Sequence, residues 1–331
     1  MFAEGGVAPT RIMVDNPGAS HRKARRIVQR SFVPERLAAL EPQIYRLVDA
    51  AIDEFIHAGE ADLVDRMLYE LPALVLFRLM DVPEDQVKNI KRWADNRLLF
   101  TWGRLGPDAQ IAAAREMVDF WKYCVSHVRS KAANPGDDMP SFLLQAVDDD
   151  GATLSENEIV DIMFGVLLAG HETTTNQSAN TLLSLLEHPP SWRALVEDPA
   201  KIPNAVEEGL RFRPSVIAWR RKALASSTIA GAEVPAGANL LILLAAANRD
   251  ARVFAGDPSQ FDIERADARK HIAFGYGAHF CLGAPLARLE MRVILERLTE
   301  RIPGLRLRQD QRFEPIKTVQ FRGPAQLWAQ W

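Results

Sequence analysis

The sequence has few cysteines, little net charge and no long uninterrupted apolar run. Only two of its 331 residues are cysteines, Cys124 and Cys281, which excludes a disulfide-stabilised scaffold and favours a reducing compartment. The 40 basic and 43 acidic side chains leave a net charge of −3, so no basic excess exists for binding nucleic acid. The best apolar stretch, 159–168, is interrupted by Asp161 and is shorter than the roughly 18 residues that a bilayer span requires. With no secretory signal pattern at its start, we expect a soluble cytoplasmic protein with neither a nucleic-acid nor a membrane partner.

Helical periodicity dominates the chain from Ser20 onward. Strand-like pieces, separated by glycine and proline, lie between Ala218 and Leu244. Within them, the apolar run 240–244 predicts a strand buried on both faces. With no internal repeat, we expect one domain, 1–331, of mainly α class with a minor β-sheet region. The predicted helices are 20–31, 34–58, 62–80, 84–97, 109–131, 156–186, 203–212 and 286–301.

The longest predicted helix, 156–186, has a clear start signal. Ser155 and Glu158 have the spacing of a capping box, in which each side chain bonds the other's backbone amide. About 30 helical residues would span roughly 45 Å. We therefore expect this helix to be central to the domain.

The motif AGHETT, residues 169–174, places an acid and hydroxyls within this helix. An acid in such apolar surroundings is usually paired or functional. The Thr173 hydroxyl can also donate to the carbonyl of Ala169 four residues earlier, which would loosen the helix and open a groove. The residues alone leave open an interhelical polar contact and a catalytic relay through Glu172 and Thr173.

The segment FGYGAHFCLG, residues 274–283, is the densest chemical signal in the chain. Its three glycines allow positive φ and close approach to a flat group, and a helix beginning nearby directs free amides at the Cys281 sulfur. Such surroundings favour a thiolate, which suits an iron ligand. The alternative is a buried structural cysteine beside a turn. We interpret Cys124 as a buried structural cysteine, because it lies within a predicted helix and has no such glycines around it.

Glu208 and Arg211 lie three residues apart on one face of a short predicted helix, where they can form an ion pair. Alone, this spacing is typical of a solvated surface pair.

Together and in this order, the three motifs resemble the cytochrome P-450 family of haem-thiolate monooxygenases, specifically its soluble bacterial branch. Residues 274–283 match that family's haem-binding loop, 169–174 its oxygen-activation segment, and Glu208 with Arg211 its Glu-x-x-Arg motif. The resemblance covers essentially the whole chain and implies the cytochrome P-450 fold. The stretches 15–34, 248–250 and 284–290 also match.

The resemblance implies haem b (iron protoporphyrin IX) as cofactor, with Cys281 as the axial thiolate ligand of its iron and O2 as co-substrate. It implies that Thr173 assists protonation of dioxygen and that Glu172 supplies the protons. Arg221 is preferred to Arg220 as a partner of the haem propionates because of its spacing to Gly231, although a surface arginine is the alternative. The implied haem-binding residues are His21, Arg25, Ala169, Arg221, Phe274, Gly275, His279, Cys281 and Gly283.

The implied reaction inserts one oxygen atom from O2 into a hydrophobic organic substrate. The sequence ends 50 residues after Cys281, so we expect NAD(P)H-derived electrons to arrive through a separate ferredoxin and ferredoxin reductase. The acid-free basic stretch 21–30 could present a patch to an acidic ferredoxin, or be a merely solvated helix face. The implied substrate pocket is lined by Gly165 and Ala169, by 215–218, by 319–321 and by a lid at 98–102.

Family members are longer, and the part without a match is at the front. We therefore expect an N-terminally truncated P-450 fold that lacks the first helices and first sheet strands. Such a chain would leave the strand 240–244 with an exposed apolar edge. The alternative function is a haem-binding but catalytically incompetent fragment. A non-haem cysteine enzyme is disfavoured because no histidine and acid have obvious triad placement around Cys281.

Overall fold

The computed structural model describes residues 13, 18–103, 105–314, 316 and 318–331, with the backbone alone for 97–102. Within this part of the chain, no helix is both long and apolar enough to cross a membrane. The helices are α1 (Gly18–Val28), α2 (Pro34–Asp53), α3 (Leu71–Leu79), α4 (Val87–Trp102), α5 (Pro107–Ala133), α6 (Met139–Gln145), α7 (Glu156–Ala169), α8 (Glu172–Glu187), α9 (Pro189–Glu197), α10 (Ile202–Phe212), α11 (Leu244–Ala247) and α12 (Ala284–Arg301).

The core lies between helices that each bury one apolar face. In α2, Leu37, Ile44, Val48 and Ile52 recur at helical spacing and are buried where α2 packs against α12. Helix α5 packs against α4 and α7, and α10 packs against α8 and α12. These contacts bring α8, which carries Glu172 and Thr173, and α10, which carries Glu208 and Arg211, close to α12, which follows the cysteine loop.

The predicted helix 156–186 is interrupted, so the expectation of one continuous helix is wrong. The capping box of Ser155 and Glu158 is confirmed, but α7 ends at Ala169 and α8 begins at Glu172. The turn between them contains Gly170, at which a β-carbon would lie 2.8 Å from Cδ2 of Leu76 on α3. Glycine therefore permits α3 to pack closely at the interruption.

The predicted helix 62–80 is also divided. It comprises the strand β1 (Glu60–Asp62), a π-helical turn at Val64–Leu68 and then α3. The buried Asp62 side chain accepts hydrogen bonds from the amides of Val64 and Leu327 at 3.0 and 2.8 Å. These bonds attach the segment to the C-terminal strand. This attachment outweighs the helical periodicity from which a continuous helix was predicted.

The strands form three small antiparallel sheets. They are β1, β2 (Trp219–Lys222), β3 (Ser227–Ile229), β4 (Ala232–Val234), β5 (Asn239–Ile242), β6 (Arg306–Leu307) and β7 (Trp328–Gln330), with sheet orders β1-β7-β6, β2-β5 and β3-β4. The minor sheet region predicted after Ala218 is thus confirmed.

The prediction that the strand 240–244 is buried on both faces is wrong. The side chains of Leu241 and Leu243 are each 54% exposed. Among the described residues only β2 pairs with β5, so its other edge stays open. The exposed apolar edge expected there is confirmed.

Candidate functional site

The loop before α12 folds back on itself and presents Cys281. The Cys281 amide donates to the Phe274 carbonyl at 2.9 Å. Gly275 and Gly277 both have a φ of +75°, as the glycine spacing predicts. Gly283 has a φ of −78°, so the third glycine is not needed for a left-handed backbone. A β-carbon at Gly283 would lie 3.9 Å from the Cys281 sulfur, an ordinary van der Waals contact.

The electrostatic surroundings of the Cys281 thiol contain opposing effects. Burial of the sulfur among its neighbours raises its pKa, and this effect outweighs the rest. Hydrogen bonds from the amides of Gly283 and Ala284 lower the pKa, as do the charges of Arg25 and Arg288. The predicted stabilising groups are therefore present, but the expectation that they alone favour a thiolate is wrong. A metal ion ligated by this sulfur would supply the missing positive charge, because a coordinating thiol is deprotonated.

Three of the predicted haem-binding residues lie together, two on α1 and one in this loop. Arg25 on α1 donates from Nη1 to the Phe280 carbonyl at 2.5 Å. The rings of His21 and His279 lie 4.1 Å apart between centroids. The pKa of His21 is lowered by burial and by the charges of His279, Arg25 and Arg22. An anionic group bound here would relieve this repulsion.

Arg221 lies apart from that cluster. It is on β2, where its Nη1 donates to the carbonyl of Arg220 at 2.9 Å and its guanidinium lies 5.9 Å from the Trp219 ring. Burial lowers its pKa.

Thr173 and Glu172 line the interruption between α7 and α8. The predicted bond from the Thr173 hydroxyl to the Ala169 carbonyl is confirmed at 2.9 Å, and the Thr174 hydroxyl donates to the Gly170 carbonyl at 3.2 Å. These side-chain donors bond carbonyls of the broken turn, which is the loosening that the sequence predicts. Ala169 is exposed and Thr173 partly exposed, so the interruption opens a groove.

The surroundings of the Glu172 carboxyl favour its protonated form. Burial raises its pKa, and the nearby Asp95 raises it further. Its Oε1 accepts a hydrogen bond from Nδ2 of Asn176 at 2.9 Å, whereas Oε2 is buried without a partner in the described structure. The carboxyl can therefore carry a proton beside Thr173.

Sequence reasoning missed a polar cluster on the α4 side of Glu172. The Lys91 amine donates to the Tyr69 carbonyl at 2.6 Å, and the Tyr69 hydroxyl donates to Oδ2 of Asp95 at 3.1 Å. Lys91 and Asp95 are four residues apart on α4, so this spacing placed them on one face. Nothing in the sequence indicated that this face lies near Glu172.

Glu208 and Arg211 form a fully buried pair, which excludes the solvated surface pair. Arg211 donates from Nε and Nη2 to the two carboxylate oxygens at 2.6 and 2.7 Å. It also donates to the carbonyls of Asn248, Pro258 and Gln260. The pair thereby fixes the long loop that leads toward Cys281.

Glu207, also missed from sequence, links α10 to both sides of the cysteine loop. Its carboxylate accepts hydrogen bonds from Arg288 on α12 at 2.7 and 3.0 Å, and lies 3.0 Å from Nε2 of His271. Burial alone would raise its pKa, but these partners lower the pKa of Glu207 to about 2. The charge-paired Glu207 therefore holds the segment before Phe274.

Two of the predicted substrate-pocket segments, 215–218 and 319–321, are in contact. Val216 pairs with Phe321, and the Ile217 amide donates to the Gln320 carbonyl at 2.8 Å. Val319 is 55% exposed and contributes apolar surface. The side chains of the predicted lid, 98–102, lie outside the described residues.

The described residues around Cys281 fit haem in three respects. Cys281 keeps an accessible face although protein atoms pack around its sulfur, and the thiol proton is one that a metal ion can displace. The cationic cluster of His21, Arg25 and His279 suits carboxylates such as the haem propionates. The exposed Ala169 and Val319 leave apolar surface for a flat ring or its substrate.

The sequence and fold match known proteins over most of their length. The family profile "Cytochrome P450" matches residues 8–302. Cytochrome P450 107B1 of Saccharopolyspora erythraea is 37% identical over 296 residues, covering 89% of this chain and 71% of that protein. Cytochrome P450 monooxygenase PikC of Streptomyces venezuelae is 36% identical over 309 residues, covering 92% and 72%. Cytochrome P450 CREJ in complex with (4-ethylphenyl) dihydrogen phosphate superposes with a TM-score of 0.94 at 34% identity, covering 100% of this chain and 82% of that one.

Proposed function

The chain belongs to the cytochrome P450 family and is a haem-thiolate monooxygenase, and from this premise we propose which of its residues carry the reaction. Cys281 would hold the haem iron through its sulfur, and Glu172 with Thr173 would deliver protons at the groove between α7 and α8. The observation that supports this proposal is the fold of the cysteine loop, in which the Cys281 amide donates to the Phe274 carbonyl at 2.9 Å and the sulfur lies just before α12.

Haem b is the cofactor of the family, and its proposed binding residues come from four elements. His21 and Arg25 on α1 and His279 in the cysteine loop hold propionate, and Arg221 on β2 does so from a separate position. Phe274, Gly275 and Gly283 shape the loop around the sulfur, and Ala169 contacts the ring from the groove. When bound, the haem supplies dioxygen activation and transfer of one oxygen atom to the substrate.

Glu172 and Thr173 form the proposed proton relay. Burial and the nearby Asp95 raise the pKa of Glu172, which favours the protonated carboxyl that a proton donor requires. Thr173 keeps its hydroxyl at the groove by donating to the Ala169 carbonyl, and its lone pairs can then accept a proton from water or from Glu172. The interruption of the helix thus leaves the Thr173 hydroxyl at the groove, next in sequence to the enclosed Glu172 carboxyl.

The proposed substrate is a hydrophobic organic molecule. Val319 and Ala169 offer exposed apolar surface, and Val216 pairs with Phe321 two residues after Val319. Apolar pockets with few polar groups bind apolar ligands and fix them by shape.

The proposed electron donor is a separate ferredoxin, reduced by a ferredoxin reductase in the cytoplasm. The basic stretch 21–30 is less available than its sequence suggests. Lys23 pairs with Glu158 at 2.6 Å, and Arg26 pairs with Asp148 and Asp150 at 2.8 Å. Arg22, exposed on α1, is therefore the preferred contact for an acidic ferredoxin in this stretch.

Reconstituted turnover tests this function. The haem-loaded chain is mixed with a ferredoxin, its reductase and NADPH, and NADPH consumption is followed with a panel of apolar compounds. Substrate-dependent NADPH consumption with an oxygenated product supports the proposal. Haem uptake without product formation under any donor system would instead support a haem-binding, catalytically incompetent chain.

A further inference from the structure

A cavity of about 340 Å³ lies where α8, the end of α10, α11 and the segment 313–324 meet. Asn180 lines it from α8 and Phe212 from α10. None of the proposed haem-binding residues is among the described residues of its lining. Of the predicted substrate-pocket segments, 215–218 reaches the cavity through Ile217. The cavity is therefore distinct from the haem-binding residues.

Three arginines line this cavity, and no acidic side chain is among the described residues that line it with them. The guanidiniums of Arg213 and Arg249 lie 5.5 and 5.0 Å from the centroid of the Phe212 ring, so two cations share one wall. The third is Arg322, whose carbonyl accepts a hydrogen bond from Nδ2 of Asn180 at 2.9 Å. Like charges gathered around one cavity repel one another, and an anion between them relieves the repulsion. We call this cavity the arginine cavity.

The three guanidiniums have donors to spare for an anion. Glu187 pairs with Nη2 of Arg213 at 2.7 Å, but Nη1 of the same guanidinium is buried without a hydrogen-bond partner in the described structure. Arg249 and Arg322 donate to neutral backbone carbonyls at 2.6 and 3.4 Å. Burial lowers the pKa of Arg249, and the charges of Arg211 and Arg213 lower it further. A guanidinium donates more strongly to a carboxylate or phosphate than to a carbonyl, so an anion would be the better acceptor.

Apart from Asn180, the remaining described residues of the lining are apolar. Leu183 and Ile217 contribute aliphatic surface, and Phe313 contributes an exposed ring. The volume lies at the lower end of the range for small-molecule sites, about 300 to 1,000 Å³. Such a cavity suits a small molecule that has one charged end and one apolar part.

We propose that the arginine cavity binds a small organic anion, with its carboxylate or phosphate at the three guanidiniums and its apolar part against the Phe313 ring. Both head groups match the fork of a guanidinium, which can donate two parallel hydrogen bonds to either. The inference does not depend on the proposed function, because the described lining contains no residue proposed to bind haem or to carry protons.

Isothermal titration calorimetry of the haem-loaded full chain tests the site. Benzoate and phenyl phosphate carry the two head groups on the same ring, and the tighter of the two identifies the preferred head group. Benzyl alcohol keeps the ring without the charge, whereas inorganic phosphate keeps the charge without the ring. We expect the preferred aryl anion to bind at least about tenfold more tightly than benzyl alcohol or inorganic phosphate, since each lacks one half of the contacts.

Two variants locate the binding. Arg249→Gln and Arg322→Gln each remove one guanidinium and should weaken binding about tenfold, the contribution of one charge-assisted hydrogen bond. Arg252→Gln removes the same charge three residues after Arg249, from an exposed side chain that is not among the described residues of the lining. This matched control should leave the affinity unchanged. If Arg249→Gln does not fold, Arg322→Gln still tests the site, because Arg322 is exposed.

The Soret band of the same samples shows whether the ligand lies beside the haem iron. Affinity that falls in Arg249→Gln or Arg322→Gln but not in Arg252→Gln, with an unmoved Soret band, supports the site. The proposal is overturned if neither aryl anion binds, if the arginine changes leave the affinity unaltered, or if binding moves the Soret band. Inorganic phosphate that binds as tightly as phenyl phosphate overturns the assignment of an organic ligand. Absence of thiolate ligation would reject the proposed function and leave this site untouched.

Discussion

Cys281 and Phe274 are joined by a hydrogen bond of 2.9 Å from the amide of one to the carbonyl of the other. This bond closes a loop whose backbone passes through the left-handed region at Gly275 and Gly277. The closure holds the sulfur at the beginning of α12. The loop geometry thus depends on two residues that carry no side chain.

Gly277→Ala is expected to weaken haem retention. A β-carbon there would contact nothing within 4 Å, so the change acts only through backbone strain. A φ of +75° costs a non-glycine residue roughly 1 to 2 kcal/mol. Haem content after gel filtration and urea unfolding measure the effect. Gly304→Ala is the control, because Gly304 is equally uncrowded but lacks positive φ, and equal haem loss in both variants would contradict the argument.

Arg211→Met is expected to destabilise the fold by about 3 to 5 kcal/mol, because it leaves the buried Glu208 charge without its partner. It also removes the donors to three loop carbonyls. The free energy of unfolding in urea measures this. Arg252→Gln breaks an exposed pair with Asp250 and should leave that free energy unchanged. A similar result for the two variants would refute the structural role of the buried pair.

Because of Glu207, we expect the folded chain to lose stability at acid pH. Its pKa is about 2 in the folded chain against an ordinary value of 4.5, so its stabilisation is complete above pH 4.5 and is lost as pH falls toward 2. The shift corresponds to about 3 kcal/mol at neutral pH. Urea unfolding of the wild type and Glu207→Gln at several pH values measures it. We expect the variant to be less stable at pH 7 and the difference to shrink in acid; a difference independent of pH would contradict this.

Much of this site could be predicted from the sequence, because short motifs determine local geometry. The glycine spacing predicted positive φ at Gly275 and Gly277, and the position of Thr173 predicted its bond to Ala169. The resemblance to the P-450 family predicted a shared haem-binding role for His21, Arg25 and His279, and the structure places these residues close to the cysteine loop.

What could not be predicted depends on contacts between distant segments. The Lys91 cluster required knowing which face of α4 lies near Glu172. The division of 62–80 required the bond from Leu327 to Asp62, 265 residues away. Whether the pKa of Cys281 is raised or lowered depends on the balance between burial and four groups that oppose it. The sequence indicates only the direction in which each of these changes the pKa.

Thr173→Ala is expected to uncouple electron use from product formation. The change removes the hydroxyl at the groove, and loss of general acid catalysis commonly lowers productive turnover by about 10² to 10⁴. The ratio of NADPH consumed to product formed measures it. Thr174→Ala is the matched control, since it removes an equivalent bond to Gly170 from a buried hydroxyl. Equal uncoupling in both would attribute the effect to the helix rather than to the Thr173 hydroxyl.

Ligation of haem iron by the Cys281 sulfur is the central claim, and the absorption spectrum of the reduced, CO-bound protein tests it most directly. The haem-loaded chain should give the red-shifted Soret band of thiolate ligation, and Cys281→Ser should lose it. Cys124→Ser, which removes the other cysteine, should retain it. A Soret band of nitrogen ligation in the unmodified chain, or a thiolate band that persists in Cys281→Ser, would contradict the claim.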